Sequence, residues 1–185
     1  MLRKEMMKSE IENELRGKGD YVQIDMLRRF LKENLPNEIK RFALEKLSVI
    51  YERRSMFAEA AFLYGKLAEM APGYNERIDN LLKEVENYIR AGFFEGADAA
   101  SNKITAEMKP MEKTKISDAI KGFYRAQAVI YERERRRSKA AEIYEKMLTM
   151  KGLLDIEKKE INNRLLMLYK DLGMVQKYLQ IRDKV

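Results

Sequence analysis

Apolar residues recur every three or four positions along most of this chain, which is the pattern of amphipathic helices that bury one face. Leu44, Leu47 and Tyr51 are an example, because they share one side of a helix drawn over residues 38–54. Only three prolines and nine glycines interrupt the 185 residues, which leaves room for long helices. The pattern predicts an all-α chain of alternating A and B helices. The A helices are predicted over 3–17, 38–54, 76–91, 115–134 and 157–172, and the B helices over 21–34, 56–70, 94–108, 138–150 and 174–184.

The chain also contains an internal repeat. The five residues Val49–Arg53 return as Val129–Arg133, an offset of 80 positions, and Ala60 and Tyr64 recur at the same offset. An offset of this size is too long for one helical hairpin and suits two. Repeats at this scale are typical of solenoids built from stacked helix pairs, which mostly bind other molecules.

The helices predicted over 38–54 and 56–70 form the second hairpin, and its residue types follow a recognisable order around Tyr51. Leu44 and Leu47 line helix A with it, Ala60 lets helix B approach closely, and Pro72 ends helix B because proline cannot continue a helix. This order resembles the tetratricopeptide repeat. Anchor residues equivalent to Tyr51 are spaced by 36, 37, 43 and 38 residues, whereas the strict repeat has 34, so the chain is similar to the longer-period SNAP-like branch. The anchors are Leu15, Tyr51, Tyr88, Tyr131 and Tyr169.

The resemblance implies the overall architecture. We expect a single domain over residues 1–185, an all-α right-handed α-solenoid of about five helix-turn-helix hairpins. The approximate hairpins are 3–36, 38–72, 76–110, 115–152 and 157–185. The widest anchor spacing predicts an irregular loop near Pro110–Thr114. Predicted N-caps, residues whose side-chain oxygens accept hydrogen bonds from first-turn N–H groups, are Asp20, Asn37, Asn75 and Asp155.

Tetratricopeptide proteins bind partners in a concave groove lined by their A helices, and the resemblance implies where that groove would lie. It would combine an apolar file that includes Val49 with an arginine file that includes Arg53, which suits a peptide or helix with apolar anchors and acidic residues. The alternative is that the apolar residues are buried against neighbouring helices and the arginines are ordinary exposed charges. The predicted groove residues are Glu45, Val49, Glu52, Arg53, Glu86, Ile89, Arg90, Arg125, Val129, Glu132, Arg133 and Met167.

One specialised role within the resemblance is not expected. Repeats that bind the terminal carboxylate of chaperone tails hold it with Lys and Asn from the first A helix of the clamp. Here Glu45 and Val49 stand at those positions, so the carboxylate clamp is absent.

Composition limits the chemistry available to the chain. The absence of histidine and cysteine excludes imidazole and thiol catalysis, disulfides and the usual Cys/His zinc sites. Neither a phosphate-binding loop motif nor a dinucleotide-type glycine cluster is present. Carboxylate pairs such as Glu157 and Glu160 are explained by ion pairs on a helix surface. We therefore predict a protein that is not an enzyme and requires no metal or cofactor.

The balance of apolar and charged residues predicts the environment of the chain. Hydrophobic residues are 45% and charged residues 36%, which favours a folded and highly soluble protein over a disordered one. The longest apolar runs, such as Ala60–Tyr64, are far too short to span a membrane, and no signal-like segment is apparent. We therefore expect a cytoplasmic protein, and its high content of Lys, Arg and Glu is thermophile-like.

The formal net charge of +7 favours acidic partners, and part of it is concentrated at the turns between A and B helices. Stacked hairpins would gather these turns into a basic rim that could contact nucleic-acid phosphates. An RNA- or ribosome-associated protein is therefore one alternative function, and a SNAP-like assembly factor is another. The helix macrodipole also favours cations at helix C-termini, which explains much of the rim without a ligand. The basic rim consists of Arg54, Arg135, Arg136, Arg137 and Lys139.

The final hairpin lacks the polar cap that ends many solenoids. The last predicted helix is rich in apolar residues, among them Val175 and Leu179. It either closes the last A helix or leaves an apolar end surface, and in the second case the terminal hairpins could form a homo-oligomer.

Overall fold

The computed structural model describes residues 2–182, and within that range the chain forms ten α-helices and no strands. The predicted all-α class and the alternation of A and B helices are therefore confirmed. The helices are α1 (Lys8–Leu15), α2 (Asp20–Phe30), α3 (Asn37–Arg53), α4 (Phe57–Glu69), α5 (Tyr74–Ala91), α6 (Phe94–Glu107), α7 (Lys113–Arg133), α8 (Arg137–Leu148), α9 (Asp155–Asp171) and α10 (Val175–Arg182).

Contacts divide the chain into two compact units, unit 1 (Met1–Lys113) and unit 2 (Thr114–Val185). In unit 1, α3 packs against both α2 and α4, and α5 packs against both α4 and α6. In unit 2, α9 packs against both α8 and α10. In each of these pairs, helices that follow one another in the sequence are neighbours in space, as expected for helical hairpins.

Small residues allow the helices of a hairpin to approach each other. Ala60 and Ala61 on α4 are fully buried, and their counterparts in the repeat, Ala140 and Ala141 on α8, are buried as well. The core of the first hairpins is completed by buried side chains of α2, α3 and α4, including Leu27. The repeated alanines therefore serve close packing, as their positions in the repeat predict.

Four of the five turns from an A helix to a B helix share one hydrogen-bond pattern that is built around the anchor tyrosine. The residue five positions after the tyrosine donates its N–H to the tyrosine carbonyl, and the residue before that donor has a left-handed backbone. This is the Schellman motif, which satisfies carbonyls at a helix end. The donors to Tyr51, Tyr88, Tyr131 and Tyr169 are Met56 at 2.8 Å, Phe93 at 2.9 Å, Arg136 at 2.8 Å and Met174 at 2.9 Å.

Glycine supplies the left-handed residue at two of these turns, whereas the two repeated hairpins use other residues. Ser55 has a φ of 57° and Arg135 a φ of 58°, so the two copies of the repeat share even this uncommon conformation. The donor side chain also contacts the tyrosine ring at two of the turns. Phe93 packs edge-on against Tyr88, with ring centres 5.4 Å apart. The guanidinium of Arg136 lies 4.5 Å from the centre of the Tyr131 ring.

The first turn is built differently. The N–H of Lys18 donates to the carbonyl of Leu15 at 3.1 Å, and Gly17 between them has a φ of 74°. Arg16 has φ −56° and ψ 133°, so residues 15–18 form a type II turn, which requires a positive φ at its third residue. The resemblance of this hairpin to the others is therefore limited to its helices.

The predicted N-caps are wrong by one or two residues. Asp20, Asn37 and Asp155 are the first residues inside their helices, and Asn75 is the second residue of α5. The residues at the cap positions are Gly19, Pro36, Gly73 and Leu154. At α9 the N–H of Leu154 instead donates to the carboxylate of Glu157, at 2.9 Å, so a carboxylate three residues later satisfies the helix start.

Two further boundaries differ from the prediction. The first helix begins at Lys8 rather than at residue 3. The irregular loop predicted near Pro110–Thr114 is replaced by a 3₁₀ helix, Pro110–Glu112, that leads directly into α7. The Tyr74 hydroxyl, at the start of α5, holds this segment by donating to Glu112 at 2.5 Å and accepting from the Lys109 N–H at 3.0 Å. Proline at the first position of a 3₁₀ helix is favourable because no donor is lost there.

Candidate partner-binding surfaces

The predicted groove residues of α3 are partly exposed. Val49 has 54% of its surface exposed, and Glu45 is exposed beside it. Arg53 is exposed but forms an ion pair with Asp20 of α2, at 2.6 Å. Glu52 is half-buried, because its carboxylate accepts hydrogen bonds from the Asn87 amide at 2.7 Å and from the Tyr64 hydroxyl at 3.2 Å. Of the four, Val49 and Glu45 have the clearest access to a partner.

The predicted groove residues of α5 are less accessible. Ile89 is 0% exposed, so its assignment to an open groove is wrong and it is a core residue instead. The guanidinium of Arg90 lies 4.0 Å from the centre of the Phe57 ring, a cation–π contact that keeps Arg90 partly buried. Glu86 is also partly buried. The helix therefore uses these positions mainly for its own packing.

In unit 2, some of the predicted groove residues are exposed, one is half-buried, and the others form ion pairs within the unit. Met167 is 66% exposed and Arg133 is exposed, whereas Val129 is half-buried. Arg125 lies 3.4 Å from the carboxylate of Glu157, which packs it against α9.

Glu132 is one of the ion-paired residues of unit 2. Its carboxylate lies 3.6 Å from the guanidinium of Arg164. Burial, together with a hydrogen bond to Glu132, raises the pKa of the Tyr144 hydroxyl to about 12. Tyr144 and Glu132 thus repeat the pairing of Tyr64 with Glu52 in unit 1.

The basic rim is largely occupied by contacts within the chain. Arg54 stacks on the Tyr21 ring, 4.5 Å from its centre, and donates to the Tyr21 hydroxyl at 2.8 Å. Arg136 stacks on Tyr131 at the Schellman turn, and Arg137 forms an ion pair with Asp171 at 3.0 Å. The remaining rim residues, Arg135 and Lys139, are exposed. Three of the five rim cations therefore have structural roles that require no nucleic acid.

A cleft that the sequence did not predict opens in unit 1 between α2 and α4, and we call it the α2–α4 cleft. Its volume is about 800 Å³, within the range of roughly 300–1,000 Å³ that is typical of ligand pockets. Helix α3 forms the floor, since it packs against both flanking helices. The cleft is lined by Arg28 and Leu31 from α2 and its end, by Lys40, Leu44, Leu47 and Tyr51 from α3, and by Met56, Ala58, Glu59, Phe62, Leu63, Lys66, Glu69 and Met70 from α4 and its flanks.

The apolar part of this cleft is adaptable and partly open to solvent. Phe62 is 55% exposed, an unusual state for a phenylalanine, and the ammonium of Lys66 lies 4.5 Å from its ring centre. Met56 precedes α4 and Met70 follows it, and both are partly buried in the cleft wall. Methionine side chains adapt to partners of different shape, which is why they are common on binding surfaces.

Charged residues of both signs surround the cleft. Arg28 on α2 and Lys40 on α3 are exposed, as are Glu59 and Glu69 on α4. Burial raises the pKa of Tyr51, Arg28 lowers it and Glu59 raises it, so a charge of each sign acts on the phenol at this end of the cleft. The cleft thus combines an apolar floor with a polar margin, as helix-binding grooves do.

Sequence reasoning missed this cleft for an identifiable reason. Leu44, Leu47 and Tyr51 lie on the side of α3 opposite to Val49, and their helical spacing indicates core packing equally well. One signal was available in the repeat. Position 62 holds phenylalanine, whereas the position 80 residues later holds Glu142. A large apolar residue where the copy has a charge points to a surface with a separate role.

The structure shows no sign of a metal centre or a membrane segment in the part that it describes. Among residues 2–182, no group of three potential Asp or Glu ligands could hold a metal ion. None of the described helices combines the length and the apolar character needed to cross a bilayer.

No protein-family model matches this chain, no curated protein matches it, and no solved structure matches it.

Proposed function

We propose that the chain is a non-enzymatic protein-interaction module, built of tetratricopeptide-like hairpins, that binds a helical segment of a partner protein in the α2–α4 cleft. The observation that carries the proposal is the half-exposed Phe62 beside an apolar cleft of about 800 Å³ in a chain with 36% charged residues. Exposed aromatic residues beside apolar pockets are frequent energetic centres of protein interfaces.

The cleft is better suited to a partner than the predicted groove residues of α3 and α5. Ile89 is buried, Arg53 is paired with Asp20 and Arg90 is stacked on Phe57, so few of those side chains are available. The cleft instead combines apolar side chains of α3 and α4, among them Leu44 and Phe62, with charged residues at its margin. An amphipathic helix fits such a groove by placing residues at positions i, i+3, i+4 and i+7 into it.

The basic-rim alternative has weaker support. An RNA-binding surface would need cations free to contact phosphates, and three of the five rim cations are held by Tyr21, Tyr131 and Asp171. The assembly-factor alternative requires a helix-binding surface, as our proposal does, since a factor that acts on helical bundles must also bind helices. Both therefore depend on the cleft.

A selection from a phage-displayed library of amphipathic helical peptides tests the proposal. The full chain is the bait, and the variant Phe62→Glu is the counter-selection target. We expect enriched peptides that carry an apolar stripe and whose affinity falls at least about tenfold with Phe62→Glu, because the charge occupies the apolar wall.

The variant Met167→Glu is the matched control, since it places the same charge on an exposed apolar residue among the predicted groove residues. We expect it to leave the affinity of the selected peptides unchanged. Peptides that lose affinity with Met167→Glu but bind Phe62→Glu normally would contradict the assignment of the cleft, as would a selection in which no peptide depends on Phe62.

A further inference from the structure

We infer that the α2–α4 cleft selects an amphipathic helix whose apolar stripe is bordered by carboxylates along one edge and by cations along the other. The inference rests on the proposed function, because it specifies the partner of the same cleft. It is based on the distribution of charge between the two sides of the cleft, which carry opposite signs.

The side formed by α2 and the start of α3 is basic. Arg28 lines the cleft from α2 and is exposed. The neighbouring Arg29 is paired with Asp25 at 3.0 Å on the same helix, so this pair adds no net charge. Lys40, in the first turn of α3, lines the cleft as a second exposed cation. A helix bound here would therefore place carboxylates toward α2.

The side formed by α4 carries the opposite sign. Glu59, Phe62, Lys66 and Glu69 are spaced by three, four and three residues, so they share one face of the helix. Lys66 lies over the Phe62 ring in the middle of this face. The two carboxylates are left near its ends, where they would meet cations of a bound helix.

Opposite signs on the two sides give selectivity as well as affinity. A helix with carboxylates on both edges would place one row against Glu59 and Glu69, and a helix with cations on both edges would face Arg28 and Lys40. Each such arrangement replaces attraction by repulsion along one side. Charge pairs at the margin of an interface are individually weak, but several of them together change affinity about tenfold.

Three synthetic helical peptides with one shared leucine stripe test the inference, with affinities measured by fluorescence anisotropy at low and moderate salt. The split peptide carries glutamates on one edge and lysines on the other, the acidic peptide carries glutamates on both edges, and the basic peptide carries lysines on both. We expect the split peptide to bind about tenfold more tightly than either of the others, with a smaller difference at higher salt.

Two charge-reversed proteins make the test specific. Arg28→Glu combined with Lys40→Glu makes both sides acidic, and we expect the basic peptide to become the tightest ligand. Glu59→Lys combined with Glu69→Lys makes both sides basic, and we expect the acidic peptide to become the tightest. The matched control for the first of these proteins is Arg135→Glu combined with Lys139→Glu, which changes the net charge by the same amount on unit 2 and is expected to leave the order of the peptides unchanged.

The possible failures are distinguishable. If the peptides bind and depend on Phe62, but their order is the same in all proteins, the charge selectivity is wrong and the proposed function stands. If the order of the peptides changes equally in the unit 2 control, net charge rather than the cleft determines it, which also overturns the inference. If no peptide binds, or if Phe62→Glu has no effect on binding, the proposed function itself is wrong.

Discussion

The repeated hairpin occurs as α3–α4 in unit 1 and as α7–α8 in unit 2. The two copies share the geometry of the turn between their helices, but their solvent-facing residues differ. In both, the N–H five residues after the anchor tyrosine donates to its carbonyl at 2.8 Å. In both, a residue other than glycine adopts the left-handed conformation, Ser55 in one copy and Arg135 in the other. The turn is therefore specified by more than the five identical residues.

The outward positions of the two copies have diverged. Phe62 and Glu59 in unit 1 correspond to Glu142 and Lys139 in unit 2, 80 residues later. Met56, which lines the cleft, corresponds to Arg136, which stacks on Tyr131. The interior of a hairpin is constrained by close packing, whereas the outer face can acquire a ligand without loss of fold. We therefore propose that the binding surface lies in unit 1, where Phe62 and Met56 stand at positions that are charged in unit 2.

The largest expected effect tests the shared interior. Tyr51→Ala and Tyr131→Ala each remove a buried aromatic ring, and we expect each to lower the free energy of unfolding by about 3–5 kcal/mol. Urea denaturation followed by circular dichroism measures it. Tyr21→Ala, which removes an exposed tyrosine, is the control and should cost about 1 kcal/mol or less. A loss under about 1 kcal/mol for one anchor would show that the two interiors are not equivalent.

A pH experiment tests the tyrosine–glutamate pair of unit 2, Tyr144 with Glu132, which corresponds to Tyr64 with Glu52 in unit 1. The Tyr144 pKa of about 12 lies above the ordinary value of 10.0, so the stability that it contributes is complete below pH 10 and is lost as the pH rises toward 12. We expect Tyr144→Phe to cost about 1 kcal/mol at pH 8, through the lost hydrogen bond to Glu132, and progressively less above pH 10. Denaturant titrations at several pH values measure this cost. A cost that stays constant up to pH 12 would contradict the raised pKa.

The left-handed residues give a smaller effect of opposite sign. Ser55→Gly and Arg135→Gly each relieve the steric cost of a left-handed side chain, partly offset by the greater freedom of glycine when unfolded, and should stabilise by about 0.5–1 kcal/mol. Gly92→Ala, at the equivalent position of α5, should destabilise by about 1 kcal/mol. Chemical denaturation measures all three variants. Destabilisation by Ser55→Gly or Arg135→Gly would show that these side chains have contacts that outweigh the strain.

Exchange of the outward residues should have the smallest effect on stability. We expect Phe62→Glu and Glu142→Phe to change the free energy of unfolding by no more than about 0.5 kcal/mol each, because both positions are exposed. Thermal denaturation of both variants measures this. A loss of several kcal/mol with Phe62→Glu would instead mean that Phe62 is part of the core, and its effect on peptide binding would then reflect unfolding.

The sequence predicts the fold of this chain better than its surfaces. The repeat and the 3.6-residue periodicity locate all ten helices, because packing of an apolar face is encoded locally. The predicted N-cap positions are wrong, since Asp20 and Asn37 are the first residues inside their helices rather than the cap residues that precede them. Capping depends on backbone geometry that a residue type alone does not determine. The prediction that Ile89 faces an open groove is wrong for a related reason. An apolar residue on a helix is compatible with either the buried or the groove face, and Ile89 is buried.

The α2–α4 cleft could not be predicted because it arises from three helices together. Each apolar lining residue of α3, such as Leu44, is an ordinary core residue when its helix is considered alone. The cleft exists because α2 and α4 pack on α3 without closing over it. The spacing between neighbouring helices depends on all the side chains between them, which no local pattern describes.

Methyl NMR on protein labelled at its twelve methionines tests the location of the binding site most directly, since these residues mark both candidate surfaces. Met56 and Met70 line the α2–α4 cleft, whereas Met167 lies among the predicted groove residues of unit 2 and Met111 is exposed at the 3₁₀ helix. On addition of a selected helical peptide we expect the Met56 and Met70 methyl resonances to shift, with Met167 and Met111 unchanged. Shifts of Met167 without shifts of Met56 and Met70 would contradict binding in the cleft.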